Sequence, residues 1–454
     1  MMRRLLVPGV LALLVEAQKA GQVIPEVHPT LSWKRCSRDD ATGAAACATV
    51  AGKVVVDAEK RWVRAADGFA NCYTGNSWDA GRCPTNDACT AACVIEGVDA
   101  AGLRDQFGVV ASGDRLSQRR VTQHAFGTNS DSRLFLLEAG EERYQTFTLL
   151  GNELAFDVDL SAVQCSVNSA LYFVAMDADG GKARHPTNKA GARYGTGYCD
   201  ASCPRTNKFV GGKANVEGWS VLDENSGEGS FGACCSEFDV WNSNAHSFSM
   251  IAKPCVDVDY EVCSHGECNA LDPRSPQPGQ LLCDRTGCDY NPYRLGNTTF
   301  YGKGKTVNTD KKITVVTRFE EDEVTQFFIQ DGKRIEAPKP NHPGFPDESG
   351  ISAGHCAALP PNFGDPEHFG QVGGYARHNE ALRRPMVLAL SISKDHWANN
   401  LWLDSVYPPQ RDGPGAERGP CPSNQGGPGL PWIEVDDSRV AWSNIRFGPI
   451  GTTV

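Results

Sequence analysis

Eighteen cysteines, the first at Cys36, dominate what this chain of 454 residues can become. Their number is even, so all can pair, and a set this large is stable only where the compartment is oxidising. The first residues agree. Met1-Met2-Arg3-Arg4 is a short basic start, Leu5 to Val15 is an apolar stretch, and Val15-Glu16-Ala17 has the small-residue spacing of a cleavage site. Residues 1–17 are therefore expected to be a signal peptide, and the protein to be secreted and extracellular. A membrane anchor needs roughly 18 or more apolar residues, which no other segment approaches. Zinc is the competing use of Cys199-x3-Cys203 and Cys263-x4-Cys268. Adjacent Cys234 and Cys235 cannot easily share one tetrahedral site, and no His pair completes one, so neither a metal nor a cofactor is expected.

The formal net charge of −11 argues against nucleic acid as a partner. It suits a neutral ligand, an acidic medium or simple surface solubility. Gly and Pro are spread along the chain without a break in composition, so residues 18–454 are expected to form one domain, monomeric and without a membrane or nucleic-acid partner.

Alternation sets the fold class. Leu154, Phe156, Val158 and Leu160 fall on one face of a strand, with Glu153, Asp157 and Asp159 on the other. Lys53–Val63, Ser169–Met176, Lys312–Phe319, Val324–Ile329, Met386–Ile392 and Arg439–Phe447 read the same way, and Asp331-Gly332 reads as a hairpin turn. Strands without intervening helical patterns point to an all-β, antiparallel sandwich of the jelly-roll kind. Two motifs are set aside. Gly350-Ile351-Ser352-Ala353-Gly354 fits a serine elbow but lacks the apolar strand before it, and is expected to be a loop. Gly302-Lys303-Gly304-Lys305-Thr306 lacks the first glycine of a phosphate loop, position 299 being Thr, and reads as a lysine-rich turn.

The segment Cys234-Cys235-Ser236-Glu237-Phe238-Asp239-Val240-Trp241-Asn242 carries chemistry. On a regular strand Glu237, Asp239 and Trp241 share a face, and the two acids raise each other's proton affinity. Asn242 has the opposite parity and joins that face only if a β-bulge intervenes. An ordinary exposed strand with scattered acids is the bland alternative.

The flanks decide between them. With Tyr194-Gly195-Thr196-Gly197-Tyr198-Cys199-Asp200, Ala214-Asn215-Val216-Glu217-Gly218-Trp219, Met176-Asp177-Ala178-Asp179-Gly180-Gly181 and Asn291-Pro292-Tyr293-Arg294-Leu295-Gly296-Asn297, the chain resembles glycoside hydrolase family 7, the cellobiohydrolases and endoglucanases. His28-Pro29 near the start and Phe447-Gly448-Pro449-Ile450-Gly451 near the end extend the resemblance along the whole chain. It implies two curved antiparallel sheets with disulfide-pinned loops over a cellulose-binding groove or tunnel. It also implies nine bridges: Cys36–Cys47, Cys72–Cys93, Cys83–Cys89, Cys165–Cys421, Cys199–Cys235, Cys203–Cys234, Cys255–Cys283, Cys263–Cys268 and Cys288–Cys356.

By resemblance Glu237 is the nucleophile and Asp239 its partner in a secreted β-1,4-glucanase that acts with retention on cellulose or cello-oligosaccharides. Asn242 stands where the family has its acid/base Glu, and Lys253 where it has a His. An amide can hydrogen-bond to a sugar oxygen but neither donates an acidic proton nor deprotonates water. Among sugar-binding positions Trp62, Arg133, Asn168, Tyr172, Tyr198, Trp402 and Arg418 match, whereas two tryptophan platforms match Lys60 and Ser393. Losing such an apolar face costs on the order of 1 kcal/mol in contact. The segment between Cys268 and Cys283 resembles a tunnel-roofing loop, and no carbohydrate-binding module is expected after Val454. The alternative function is a non-hydrolytic glucan-binding protein on the same scaffold.

Overall fold

The alternating segments become two facing sheets. The structure, a computed structural model, describes residues 18–39, 42–223, 226–268, 281–395, 398–424 and 436–454. The expected signal peptide and most of the segment between Cys268 and Cys283 lie outside them. The inner sheet runs in the order Cys288–Tyr290, Phe248–Lys253, Glu237–Ser243, Asn168–Val174, Met386–Ser393, Ser132–Glu138 and Gly52–Val56. The outer sheet runs Ala45–Val50, Trp33–Arg38, Arg439–Pro449, Asn152–Asp159, Ile313–Phe319, Glu323–Gln330 and Lys333–Glu336. Neighbours within these runs are antiparallel except Trp33–Arg38, which lies parallel to Arg439–Pro449. This is the expected β-sandwich.

Burial of large side chains between the sheets holds them together. Leu154, Phe156 and Val158 of the outer sheet are fully buried, and Phe156 packs edge-on against Trp241 of the inner one. Trp241 stacks on Phe248 at 4.7 Å, and Phe238 meets Phe319 edge-on at 5.5 Å. Of the acids on the other face of Asn152–Asp159, Asp159 is exposed as the alternation suggested, but Glu153 and Asp157 are buried. Glu153 is enclosed by Arg318 and Thr453, and Asp157 by Lys312 and Thr314.

All nine disulfides pair as the resemblance implied. With every cysteine oxidised, none can act as a zinc thiolate. Cys165–Cys421 joins residues 256 apart and ties the segment after Trp402 to the start of the strand that carries Asn168. Among the described residues no helix is long and apolar enough to cross a membrane.

Local expectations divide. Gln330 pairs with Lys333 around Asp331 and Gly332, both at positive φ, the geometry a two-residue hairpin requires. Lys303 to Thr306 form a turn, as read. The long strand expected over Lys53–Val63 instead ends at Val56, because the Asp57 carboxylate accepts from Glu59 N–H and caps a short 3-10 turn, Ala58–Lys60. Gly350–Gly354 is likewise no loop. It is the junction between strand Gly350–Ser352 and helix Ala353–Phe363, where Ser352 Oγ accepts from His355 N–H and donates to Glu348. A capping hydroxyl so engaged is not a serine nucleophile.

The feature that positions the site is one extra residue in strand Glu237–Ser243. On one side Asp239 pairs with Tyr172 and Trp241 with Leu171; on the other Asp239 pairs with Ile251 and Asn242 with Ser249. Val240 has no partner on either side, so its carbonyl is outside both ladders. Gln326 of the outer sheet supplies the missing donor, its Nε2 lying 2.8 Å from Val240 O and 3.0 Å from Thr317 Oγ1. A buried carbonyl left unpaired costs about 1–3 kcal/mol. Gln326→Leu should therefore lower unfolding stability by about that amount in urea denaturation. An unchanged midpoint would show that the bulge does not depend on this contact.

Candidate active site

The bulge restores the parity that Asn242 lacked. Residues paired across antiparallel strands share a face, so three rows cross the inner sheet. Lys253, Glu237 and Val174 form the first; Asp289, Ile251, Asp239, Tyr172 and Ala389 the second; Ser249, Asn242, Ala170, Ser391 and Arg133 the third. Trp241 departs from the expected common face. The extra residue turns it into the core, where it is fully buried.

Glu237 and Asp239 are almost wholly buried. Glu237 Oε2 accepts from Ala201 N–H at 3.2 Å, and Lys253 Nζ bridges the pair, 3.2 Å from Glu237 Oε1 and 2.7 Å from Asp239 Oδ2. Burial, and then the Asp239 charge, push the Glu237 carboxyl well above the usual range, while Lys253 opposes both. Burial alone would discharge Lys253; the carboxylates of Asp239 and Glu237 outweigh it and hold the ammonium above its ordinary value.

Hydrogen bonds fix which way Asn242 faces. Ser243 N–H must donate, and does so to Asn168 Oδ1 at 2.9 Å; Asn168 Nδ2 then donates to Asn242 Oδ1 at 2.7 Å. Asn242 Nδ2 is left as a donor without a partner among the described residues. On the other flank Tyr172 and Tyr198 hydroxyls meet at 3.3 Å, and Tyr198 donates to Asp200 Oδ2 at 2.6 Å. Burial raises both phenols, Tyr172 to about 12, so both remain protonated donors. Arg133 lies over the Tyr198 ring at 3.3 Å and donates to Asp57 at 2.6 Å.

The other positions stand farther along. Arg418 pairs with Asp289 at 3.3 Å, and burial lowers it to about 10. Trp402 is half-buried on the short helix Leu401–Asp404, which packs against strand Phe248–Lys253. Trp62 is half-buried with its indole N–H on Asn71 Oδ1 at 2.6 Å. No direct contact joins Trp62 or Trp402 to the carboxylates among the described residues. Asp57, Asp200, Asp289 and Ser249 were missed as site residues. Alternation from Tyr198 to Asp200 could have exposed one of them, but the others reach the site through sheet register alone.

The model of glycosyl hydrolase family 7 matches residues 20–454. The chain belongs to glycosyl hydrolase family 7. It is similar to the family 7 cellobiohydrolase of Daphnia pulex, at 40% identity over 96% of this chain and 100% of that one, with a TM-score of 0.91. It is 50% identical to the cellobiohydrolase of Melanocarpus albomyces complexed with cellotetraose, with the same coverage and a TM-score of 0.89. The endocellulase EGI of Humicola insolens aligns over the same shares at 31% identity and a TM-score of 0.79. This family 7 protein is thus a glycosyl hydrolase of the cellulase type.

Lys253 is what the acidic pair leans on. In Lys253→Met the Glu237 carboxyl, already raised in the parent, loses the charge that opposes its rise. A carboxyl raised on folding contributes its stability at low pH and loses it as pH climbs through the folded value. Thermal melting of Lys253→Met should therefore fall farther below the parent as pH rises above the ordinary carboxylate range, approaching a loss of about 3–5 kcal/mol. A deficit that does not change with pH would contradict the bridge.

Proposed function

We propose that this protein is a secreted β-1,4-glucanase of the cellobiohydrolase type, acting by retention on cello-oligosaccharides with Glu237 as nucleophile and Asp239 as its proton-sharing partner. The observation that carries the reading is the bulge at Val240, which gathers Glu237, Asp239 and position 242 on one face. Retaining hydrolysis needs two carboxyl groups about 5–5.5 Å apart, one attacking the anomeric carbon and one protonating the leaving oxygen. Position 242 is aimed for the second task, and Asn cannot perform it. Trp62 and Trp402 are read as sugar platforms, and Asn168, Arg133, Tyr172, Tyr198 and Arg418 as polar contacts. The cellobiohydrolase type is supported by TM-scores of 0.91 and 0.89 against 0.79 for the endocellulase. Cellotetraose is named as a ligand of one relative and is taken here as the test substrate.

Glycosides whose aglycone leaves without protonation should be attacked by the parent protein, while cellotetraose is cut slowly. Asn242→Glu should raise cellotetraose hydrolysis about 10²–10⁴-fold, the usual worth of general acid–base help, and adding Glu237→Gln should abolish the gain. No gain from Asn242→Glu would mean that position 242 does not face the glycosidic oxygen. A second reading, a non-hydrolytic glucan-binding protein, is favoured by Lys253 bridging both carboxylates. It predicts heat of cellotetraose binding by calorimetry with no burst from an activated cellobioside.

A further inference from the structure

A polar groove of about 570 Å³ opens at the edge where the two sheets meet and shares no residue with the carboxylate site. Residues 161–165 form its floor, since they connect the outer strand Asn152–Asp159 to the inner strand Asn168–Val174. Val163 O accepts from Ala245 N–H at 3.0 Å, and Gln164 N–H donates to Ser438 Oγ at 3.1 Å, so the floor is pinned to both walls. The outer-sheet wall carries Arg119 and Arg439. The inner-sheet wall carries His246, in the turn between Glu237–Ser243 and Phe248–Lys253, together with Lys303. Tyr301 OH donates to Asn244 O at 2.9 Å and Thr309 Oγ1 to Ala245 O at 2.7 Å, which holds the Lys303 turn against the His246 turn.

The charges in this groove are not balanced by the protein. Arg119 and Arg439 are direct partners across two antiparallel strands and both are exposed, so two guanidinium arms leave one face side by side. Like charges set opposite each other cost stability. Neither arm, nor exposed Lys303, has an ion pair or a side-chain hydrogen bond among the described residues. Two acids also line the groove. Asp436 is engaged by buried Arg120 and accepts from Ser438 N–H at 2.7 Å, whereas Asp437 is exposed and holds no cation among the described residues. His246 is held below its ordinary value by burial and by Lys303, and adds no charge near neutral pH. Three cations therefore face one uncommitted carboxylate in a chain of formal charge −11. A local reversal of sign of this kind attracts anions.

The lining selects among anions. His246 is the only ring in it among the described residues, and its apolar part is limited to Val121, Ala162, Val163 and the Cys165 bridge, so neither a nucleobase nor an acyl chain finds a matching surface. Cations on both walls suit acid groups spaced along a polymer better than one small ion, and guanidinium forks pair with sulfate and carboxylate alike. His246 follows Asn242 and Gln164 precedes Asn168 within a few residues, so the groove continues the catalytic strands at their ends. We propose that this groove is a second glycan site, which binds an acidic polysaccharide through sulfate or carboxylate groups on its sugars. The assignment does not depend on what Glu237 does.

The test measures equilibrium binding of the full chain to immobilised dextran sulfate, carboxymethyl dextran and plain dextran. At about 0.05 M salt at least one charged dextran should bind and plain dextran should not, and binding should fade by about 0.5 M salt as exposed charges are screened. Preference between the two charged forms identifies the acid group. Arg119→Glu combined with Arg439→Glu should weaken binding about tenfold or more, and Lys303→Gln, in an exposed turn, about threefold. Lys333→Glu, which alters an exposed cation on another hairpin, should leave it unchanged. Full binding by the double variant, or equal loss in Lys333→Glu, would overturn the groove. No binding to either charged dextran, or equal binding to plain dextran, would overturn the acidic glycan. So would tighter binding to poly-L-glutamate than to both charged dextrans, which would point to an acidic polypeptide instead.

Discussion

The hydrogen bond from Gln326 to the carbonyl of Val240 is where the two sheets agree on the shape of the site. A strand alternates its side chains strictly, so Glu237, Asp239 and Asn242 cannot share a face unless one residue is added between them. Adding it strands a backbone carbonyl in the apolar layer, beside Trp241 and Phe248. Only a donor arriving from the opposite sheet can satisfy that carbonyl, and Gln326 arrives with its own geometry set by Thr317. The chemistry on the concave face is therefore secured by a polar contact on the far side of the same strand.

Electrostatics near the acids follow from a second exchange. Two carboxyl groups this close and this buried would share a proton and resist ionising together. Lys253, paired with Glu237 across the strand, gives them a counter-charge inside the same low-dielectric layer. The cost of burying all three is offset because each lies within contact distance of another. The same closeness draws electron density away from Glu237, so a charge that limits the rise in its proton affinity also tempers attack.

Much of the fold was legible because its signals are local. Alternation located strand Ile313–Phe319 and its neighbour Glu323–Gln330, and Asp331-Gly332 located the turn between them, since positive φ restricts residue choice. The acids and the need for a bulge were also visible in one nine-residue segment. What stayed hidden depends on partners distant in sequence. Nothing near Asp57 announces that its carboxylate will cap a turn and receive Arg133. Ser249 looks like any strand serine until register sets it opposite Asn242. Trp241 was misplaced for the same reason: an extra residue changes the parity of everything after it.

The parallel pairing of Trp33–Arg38 with Arg439–Pro449 bears on how the chain reaches this state. The late strand lies between the early one and Asn152–Asp159 and also carries Arg115–Arg119, so the outer sheet is three separate pieces until Arg439–Pro449 has emerged. During synthesis the inner sheet can assemble up to Met386–Ser393 with only part of its apolar cover. Such topologies fold slowly and expose unpaired edges while they wait. A nascent chain of this design must be shielded from its neighbours until Arg439–Pro449 is released, and loss of that strand should be felt as aggregation more than as lost activity.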